Sequence, residues 1–123
     1  HPLPRHQGNQ EMVEKIRRID RFYVERFAAF VARAAATPEG EGTLLDNCMV
    51  LYGCGIGEGN HHNHDDLPIL MAGRAGGAMP TGRVVASPKE TPLCNLYLSM
   101  LDRMGCPVES FGDSTGPLAA LTD

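Results

Sequence analysis

The sequence predicts an α/β fold in which a small, mainly parallel sheet is flanked by helices. Two short continuous apolar runs, residues 48–53 and 67–73, each end in glycine and are typical of strands buried on both faces. A helical pattern of apolar residues precedes the first run, and another follows the second. This order is typical of a layered fold, in which ligands bind beyond the carboxyl ends of the strands. With 123 residues, we expect a single domain, residues 1–123.

The first element is a long amphipathic helix over residues 10–36, preceded by an N-terminal arm, residues 1–9. Its apolar residues recur every three or four positions, and charged residues fill most of the gaps. At 1.5 Å per residue the helix is about 40 Å long, which predicts that it reaches beyond its own fold. Pro38, Gly40 and Gly42 then end the helix and form a turn.

The remaining residues, 44–123, form the predicted α/β part. After the two strands, residues 83–87 are a weaker candidate for an edge strand. The segment 90–105 predicts a second helix, with Pro92 in its first turn and Gly105 at its C-terminal end. In the tail, Asp113 and Ser114 either form a turn or contact a ligand, and turn chemistry is the favoured interpretation.

Composition excludes several classes of function. The net charge of -4 and the absence of a basic run interleaved with aromatic residues argue against nucleic-acid binding. No apolar stretch approaches the ~20 residues of a transmembrane helix, so no membrane partner is expected. The four cysteines lack the spacing of a zinc ribbon, and isolated thiols are favoured over disulfides. A small molecule is therefore the expected substrate.

The segment "GCGIGEGNHHNHDDLP", residues 53–68 and here called the histidine loop, is the candidate active site. Imidazole and carboxylate groups are ligands for zinc and other divalent ions. In an extended segment the side chains of His62 and His64 point the same way and that of His61 points to the other side. Glu58 or His61 is the candidate general base. The candidate metal ligands are His62, His64, Asp65 and Asp66.

Spacing alone leaves three interpretations of the histidine loop open: a metal site, a solvated polar loop, and general acid/base chemistry without a metal. Cys54 follows the first strand and is a candidate nucleophile, the alternative being a small buried apolar residue. His1 and His6 precede the long helix. They either join a shared site with the loop or belong to a mobile terminus.

Three segments carry a resemblance to a known family: "GTLLDN", "GNHHNHDDLP" and "PKETPLCNLYLSMLDRMG". Nearly the whole chain resembles the carboxyl-terminal part of the HXXSHH family of long, exported bacterial proteins of unassigned function. Residues 62–66 match the "HNHDD" of that family, and Glu58 falls where the family more often has Asp. His6 and Gly8 match positions of its Ser-His-His-Gly segment, while Arg5 and Gln7 replace the Ser and the second His.

The HXXSHH family is in turn similar to the alkaline-phosphatase and sulfatase superfamily. The resemblance implies the C-terminal part of an alkaline-phosphatase-like fold, with a divalent metal ion, Zn or Ca, that supports hydrolysis of a phosphate, sulfate, carboxylic ester or lactone. It also implies export to the periplasm. Because family members are several times longer, the chain resembles a fragment with an exposed sheet edge, which we expect to form a homo-oligomer. The alternatives are a non-catalytic fragment that oligomerises and a hydrolase that depends on Cys54.

Overall fold

The computed structural model describes residues 6–121, apart from the side chain of residue 119. It contains three α-helices, two pairs of short strands and two 3₁₀ turns within these residues. No helix among them is long and apolar enough to cross a membrane. In chain order the elements are α1 (Gln10–Ala36), β1 (Pro38–Glu39), β2 (Gly42–Thr43), α2 (Leu44–Asn47), β3 (Val50–Gly53), β4 (Ile69–Ala72), a 3₁₀ turn (Ala75–Gly77), α3 (Cys94–Arg103) and a second 3₁₀ turn (Ala119–Leu121).

Helix α1 has the bounds expected from its periodicity, because both of its ends are capped locally. The side-chain oxygen of Asn9 accepts hydrogen bonds from the backbone N–H groups of Glu11 and Met12, at 3.0 and 3.3 Å. At the other end the Thr37 hydroxyl donates to the carbonyl of Arg33 at 2.7 Å. The Pro and Gly residues that follow form the hairpin of β1 and β2.

The prediction of a mainly parallel sheet is wrong, because β3 and β4 pair antiparallel, with Val50 opposite Ala72 and Gly53 opposite Ile69. The fold therefore combines helices with small antiparallel sheets. Parallel neighbours need a long crossover, usually a helix, and residues 54–68 contain no helix. The predicted edge strand over 83–87 is also wrong: no strand forms there, and Val84 is 97% exposed.

The hydrophobic core is small and lies between α3, the β3–β4 hairpin and the C-terminal tail. Its buried members are Met79, Leu96 and Leu121, against which Leu51 and Met71 pack from the two strands. Helix α1 contributes little to this core: Ala34 is its one buried residue. The Phe27 ring stacks on Tyr52 of β3, with ring centroids 5.3 Å apart, and so docks α1 on the hairpin that carries the histidine loop.

Helix α3 ends as the sequence predicts. Gly105 adopts a φ of +73°, and the N–H of Cys106 donates to the Leu101 carbonyl at 3.0 Å, as in a Schellman motif. The sequence predicts Pro92 in the first turn of α3, but Pro92 lies just before the helix begins.

The tail is fixed to α3 by buried polar groups. Leu118 donates its N–H to the Ser99 hydroxyl at 2.7 Å, and Thr115 donates its N–H to the Asn95 side-chain oxygen at 2.8 Å. The turn interpretation of Ser114 is confirmed, because its hydroxyl accepts the N–H of Phe111 at 2.8 Å.

Candidate functional site

The histidine loop connects the two antiparallel strands and folds back on itself as a second, tighter hairpin. The N–H of Gly57 donates to the carbonyl of Asn63 at 2.9 Å, and Glu58 pairs antiparallel with Asn63. The loop has two arms, which lead into and out of its turn. A Cβ atom at Gly57 would overlap the carbonyl oxygen of Asp65, so the two arms approach closely only because residue 57 is glycine. The loop therefore holds its polar residues on a defined turn, residues 59–62.

Glu58 is the most heavily bonded side chain of the loop. Its Oε1 accepts the N–H of Asn60 at 2.9 Å, and its Oε2 accepts the N–H of His61 at 2.9 Å and contacts the His61 Nδ1 at 2.7 Å. The backbone N–H groups of Asn60 and His61, followed by the His61 ring, lower the pKa of Glu58 to about 2. Glu58 is therefore ionised near neutral pH and is a weak proton acceptor there.

His61 forms a carboxylate–imidazole pair with Glu58. Because a carboxylate can only accept, the His61 Nδ1 carries the proton and its Nε2 has a free lone pair. The side chain is 84% exposed, so this nitrogen is accessible to solvent and to a bound substrate. Of the two candidate bases, His61 has the chemistry of a general base, and Glu58 that of the group which orients it.

His6 lies beside the histidine loop, as the interpretation of a shared site requires. Its Nε2 is 3.7 Å from Glu58 Oε1, and the neighbouring N–H of Gln7 donates to the Asn60 side-chain oxygen at 2.9 Å. His1 lies outside the described residues. The contribution of Asn60 was missed in the sequence, since an asparagine in a Gly-Asn turn carries no signal for a partner more than 50 positions away.

The candidate metal ligands do not assemble into a centre. Within residues 6–121 no group of three His, Cys, Asp or Glu side chains could hold a metal ion. His62 has a φ of +55°, so the chain is not extended there, and the expectation that His62 and His64 point the same way loses its basis. Asp65 and Asp66 are exposed, and their carboxylates bond to no other described residue.

Two of the loop histidines nevertheless have features of ligand-binding groups. The Nδ1–H of His64 donates to the carbonyl of Gly55, which leaves its Nε2 unprotonated and free. The Nε2 of His62 is buried and has no hydrogen-bond partner in the part of the chain that the structure describes. An unsatisfied buried nitrogen is costly, so His62 is the position at which a further polar group would be stabilising.

Cys54 is exposed and carries a free thiol, so the interpretation of a small buried residue is wrong. Its Sγ forms no hydrogen bond with any histidine of residues 6–121, so the predicted thiol–imidazole pair is not formed among the described residues. A separate cavity of about 390 Å³ lies between Cys48, Ala75 and Arg103, and none of its lining residues belongs to the histidine loop.

Comparison of the chain with protein-family models, with curated proteins and with solved structures finds no match. The resemblance to the HXXSHH family accordingly stays a prediction.

Proposed function

We propose that this protein is a hydrolase-like domain that cleaves an ester-type bond, with His61 as general base. The supporting observation is the 2.7 Å contact between His61 Nδ1 and Glu58, which fixes the tautomer and leaves Nε2 free. The substrate class is a phosphate, sulfate or carboxylic ester or a lactone. The resemblance to the HXXSHH family supports this class, and by the same resemblance we propose that the protein is exported.

In the proposed reaction His61 Nε2 accepts a proton from a water molecule as the water oxygen attacks the ester centre. The bond from that centre to the leaving oxygen breaks, and the imidazolium returns the proton to this oxygen. The ionised Glu58 stabilises the imidazolium while it exists and stays unprotonated throughout. A positioned base of this kind contributes a rate factor of about 10²–10⁴.

The resemblance also implies a divalent ion, Zn or Ca, at His62, His64 and one or both of Asp65 and Asp66. These side chains do not fit a complete centre, because no three potential ligands converge within residues 6–121. No step of the reaction is therefore derived through a metal. His64 is the best single candidate for a ligand, since its Nδ1 is held by a carbonyl and its Nε2 is free.

Steady-state hydrolysis of p-nitrophenyl phosphate, sulfate and acetate and of a simple lactone tests the proposal. We expect His61→Ala to lower kcat by about 100-fold on the substrate that is turned over, because the base is lost. Glu58→Gln should lower it less, and Glu11→Gln is the matched control, since Glu11 is an exposed carboxylate paired with Lys15 on α1. Unchanged turnover in His61→Ala, or no turnover of any substrate, would contradict the proposal.

The metal and the thiol are tested separately. If a divalent ion takes part, Zn or Ca added to chelator-treated protein should raise the thermal unfolding temperature, and His64→Ala should remove that increase. If Cys54 is the nucleophile instead, Cys54→Ser should abolish turnover and chelators should leave it intact. Full activity of Cys54→Ser excludes this alternative.

The second candidate function is non-catalytic assembly of copies of this chain through α1. Large apolar side chains 44–56% exposed lie on one face of the helix, at Ile19, Phe22, Tyr23 and Phe30. A row of this kind marks an interaction surface, and two copies can bury it by pairing the same face around a two-fold axis. This candidate also accounts for the small contribution of α1 to the core.

Sedimentation velocity over a range of concentrations tests the assembly. We expect an oligomer that dissociates when Phe22 and Phe30 are both changed to serine. Val84→Ser is the control, because Val84 is a 97% exposed apolar residue outside the helix. A monomer at every concentration would remove this candidate.

A further inference from the structure

One carboxylate lies between two imidazole rings that are far apart in the sequence. Oε2 of Glu58 contacts the ring and the backbone N–H of His61, while Oε1 accepts the Asn60 N–H and lies 3.7 Å from the His6 Nε2. Each carboxylate oxygen therefore has one backbone donor and one imidazole. The proposed reaction uses the Oε2 side of this arrangement and leaves the Oε1 side without a role.

The ring of His6 is held in place by its own turn. The N–H of Gly8 donates to its Nδ1 at 3.2 Å, which places the ring proton on Nε2, the nitrogen that faces Glu58. The backbone carbonyl of His6 accepts the N–H of Asn9, the N-cap of α1, at 2.7 Å. Of the three side chains His6, Glu58 and His61, that of His6 is the least exposed, at 25%.

The turn that carries His6 depends in part on the histidine loop. Gln7 has a φ of +47°, a left-handed conformation that costs a residue with a side chain about 1–2 kcal/mol. Its N–H is bonded to the side-chain oxygen of Asn60, whose amide nitrogen lies 3.4 Å from the His6 Nε2. Asn60 thus holds the backbone of the turn that carries His6, while its amide nitrogen and the protonated Nε2 of His6 are both donors and form no hydrogen bond with each other.

We infer that His6 is a positioning residue of the candidate site, which confines the Glu58 carboxylate so that its other oxygen faces His61. The inference rests on the proposed function for its catalytic consequence only. The backbone N–H groups of Asn60 and His61 already restrain this side chain, which is 40% exposed, and the His6 ring adds a restraint on the Oε1 side. The His6–Glu58 separation is an electrostatic contact rather than a hydrogen bond, so His6 limits where the carboxylate lies and takes no part in proton transfer.

Long-range ¹H–¹⁵N spectra of the histidine side chains in the full chain test the inference without reference to activity. In the unchanged protein we expect His61 to be the Nδ1–H tautomer. In His6→Ala, the His61 signals should move part of the way toward a mixture of tautomers, because its acceptor is held only by the two backbone N–H groups. His6→Gln, which keeps an N–H donor of similar reach, should restore most of the original spectrum.

His64 is the internal control, because its Nδ1–H bonds to the Gly55 carbonyl and not to Glu58. If the His61 signals do not move in His6→Ala, or if those of His64 move equally, His6 holds the fold and does not position Glu58, and the inference is overturned. Where turnover is measurable, His6→Ala should lower kcat about tenfold or more with KM unchanged, since small displacements of catalytic groups are costly. Should the protein hydrolyse nothing, the proposed function fails and the spectra still decide the role of His6.

Discussion

Replacing Gly57 by alanine is expected to open the histidine loop. The added Cβ atom would overlap the Asp65 carbonyl oxygen, and it would lie 3.3 Å from the carbonyl carbon of Asp65 and 3.2 Å from the Asn63 side-chain oxygen. The overlapped atom belongs to the backbone and cannot rotate away. The two arms of the loop must therefore separate.

The cost of Gly57→Ala has two parts. Forcing extra volume into a filled space costs about 1–3 kcal/mol. Separation of the arms also weakens the 2.9 Å hydrogen bond from Gly57 to Asn63, which contributes about 0.5–1.5 kcal/mol. We expect the free energy of unfolding to fall by about 1.5–4.5 kcal/mol, with the lower end applying if the loop opens without disturbing β3 and β4.

Urea unfolding followed by circular dichroism gives the change in free energy, and amide exchange at residue 57 reports on the loop itself. Gly55→Ala is the matched control, because no atom lies within 4 Å of its added Cβ. That change should alter stability by no more than about 0.5 kcal/mol. If Gly57→Ala unfolds at the same urea concentration as Gly55→Ala, that result would contradict the close approach of the two arms of the loop.

Three further changes test other parts of the structure. The pKa of Glu58, lowered from its ordinary value of 4.5 to about 2, means that its carboxylate stabilises the fold above pH 4.5 and loses this effect as the pH falls toward 2. The stability difference from Glu58→Gln should therefore shrink over this interval in urea titrations, and a difference independent of pH would contradict it. Gly73→Ala should lower the free energy of unfolding by about 2–5 kcal/mol, because its φ is +99° and its Cβ would overlap the Cys48 carbonyl oxygen; a Tm near that of the unchanged protein would refute this. Ser99→Ala should cost about 0.5–1.5 kcal/mol, because the Leu118 N–H loses its shorter bond, at 2.7 Å, and keeps the Asn95 carbonyl at 3.2 Å; unchanged exchange of that amide would exclude the effect.

Local patterns determine a large part of the fold. Helix α1 follows from the apolar spacing between an Asn9 cap and the Pro38 stop, and the end of α3 follows from Gly105. Capping interactions of this kind span three or four residues and have few alternative geometries, so spacing is enough to predict them. Spacing predicts Glu58 and His61 only as alternative bases, and their pairing depends on the turn at residues 59–62, which the expectation of an extended segment does not include.

Strand direction was open to prediction and was predicted wrongly. The apolar runs locate β3 and β4, but continuous apolar runs are typical of parallel sheets and so predict the wrong strand direction here. The segment between them, residues 54–68, has no helical pattern that could form a crossover, and this observation alone favours a hairpin. The expected convergence of His62 and His64 depended on an extended chain, which the left-handed conformation of His62 interrupts.

The sequence by itself determined α1, the C-terminal end of α3 and the positions of the two central strands. Only the tertiary structure decided that α1 docks through Phe27 on Tyr52 and that His6 lies beside Glu58. The physical reason is that contacts between distant residues form only when the packing of the whole chain compensates the entropy lost on closing the intervening segment. The spacing of residues within a single segment carries no information about that balance.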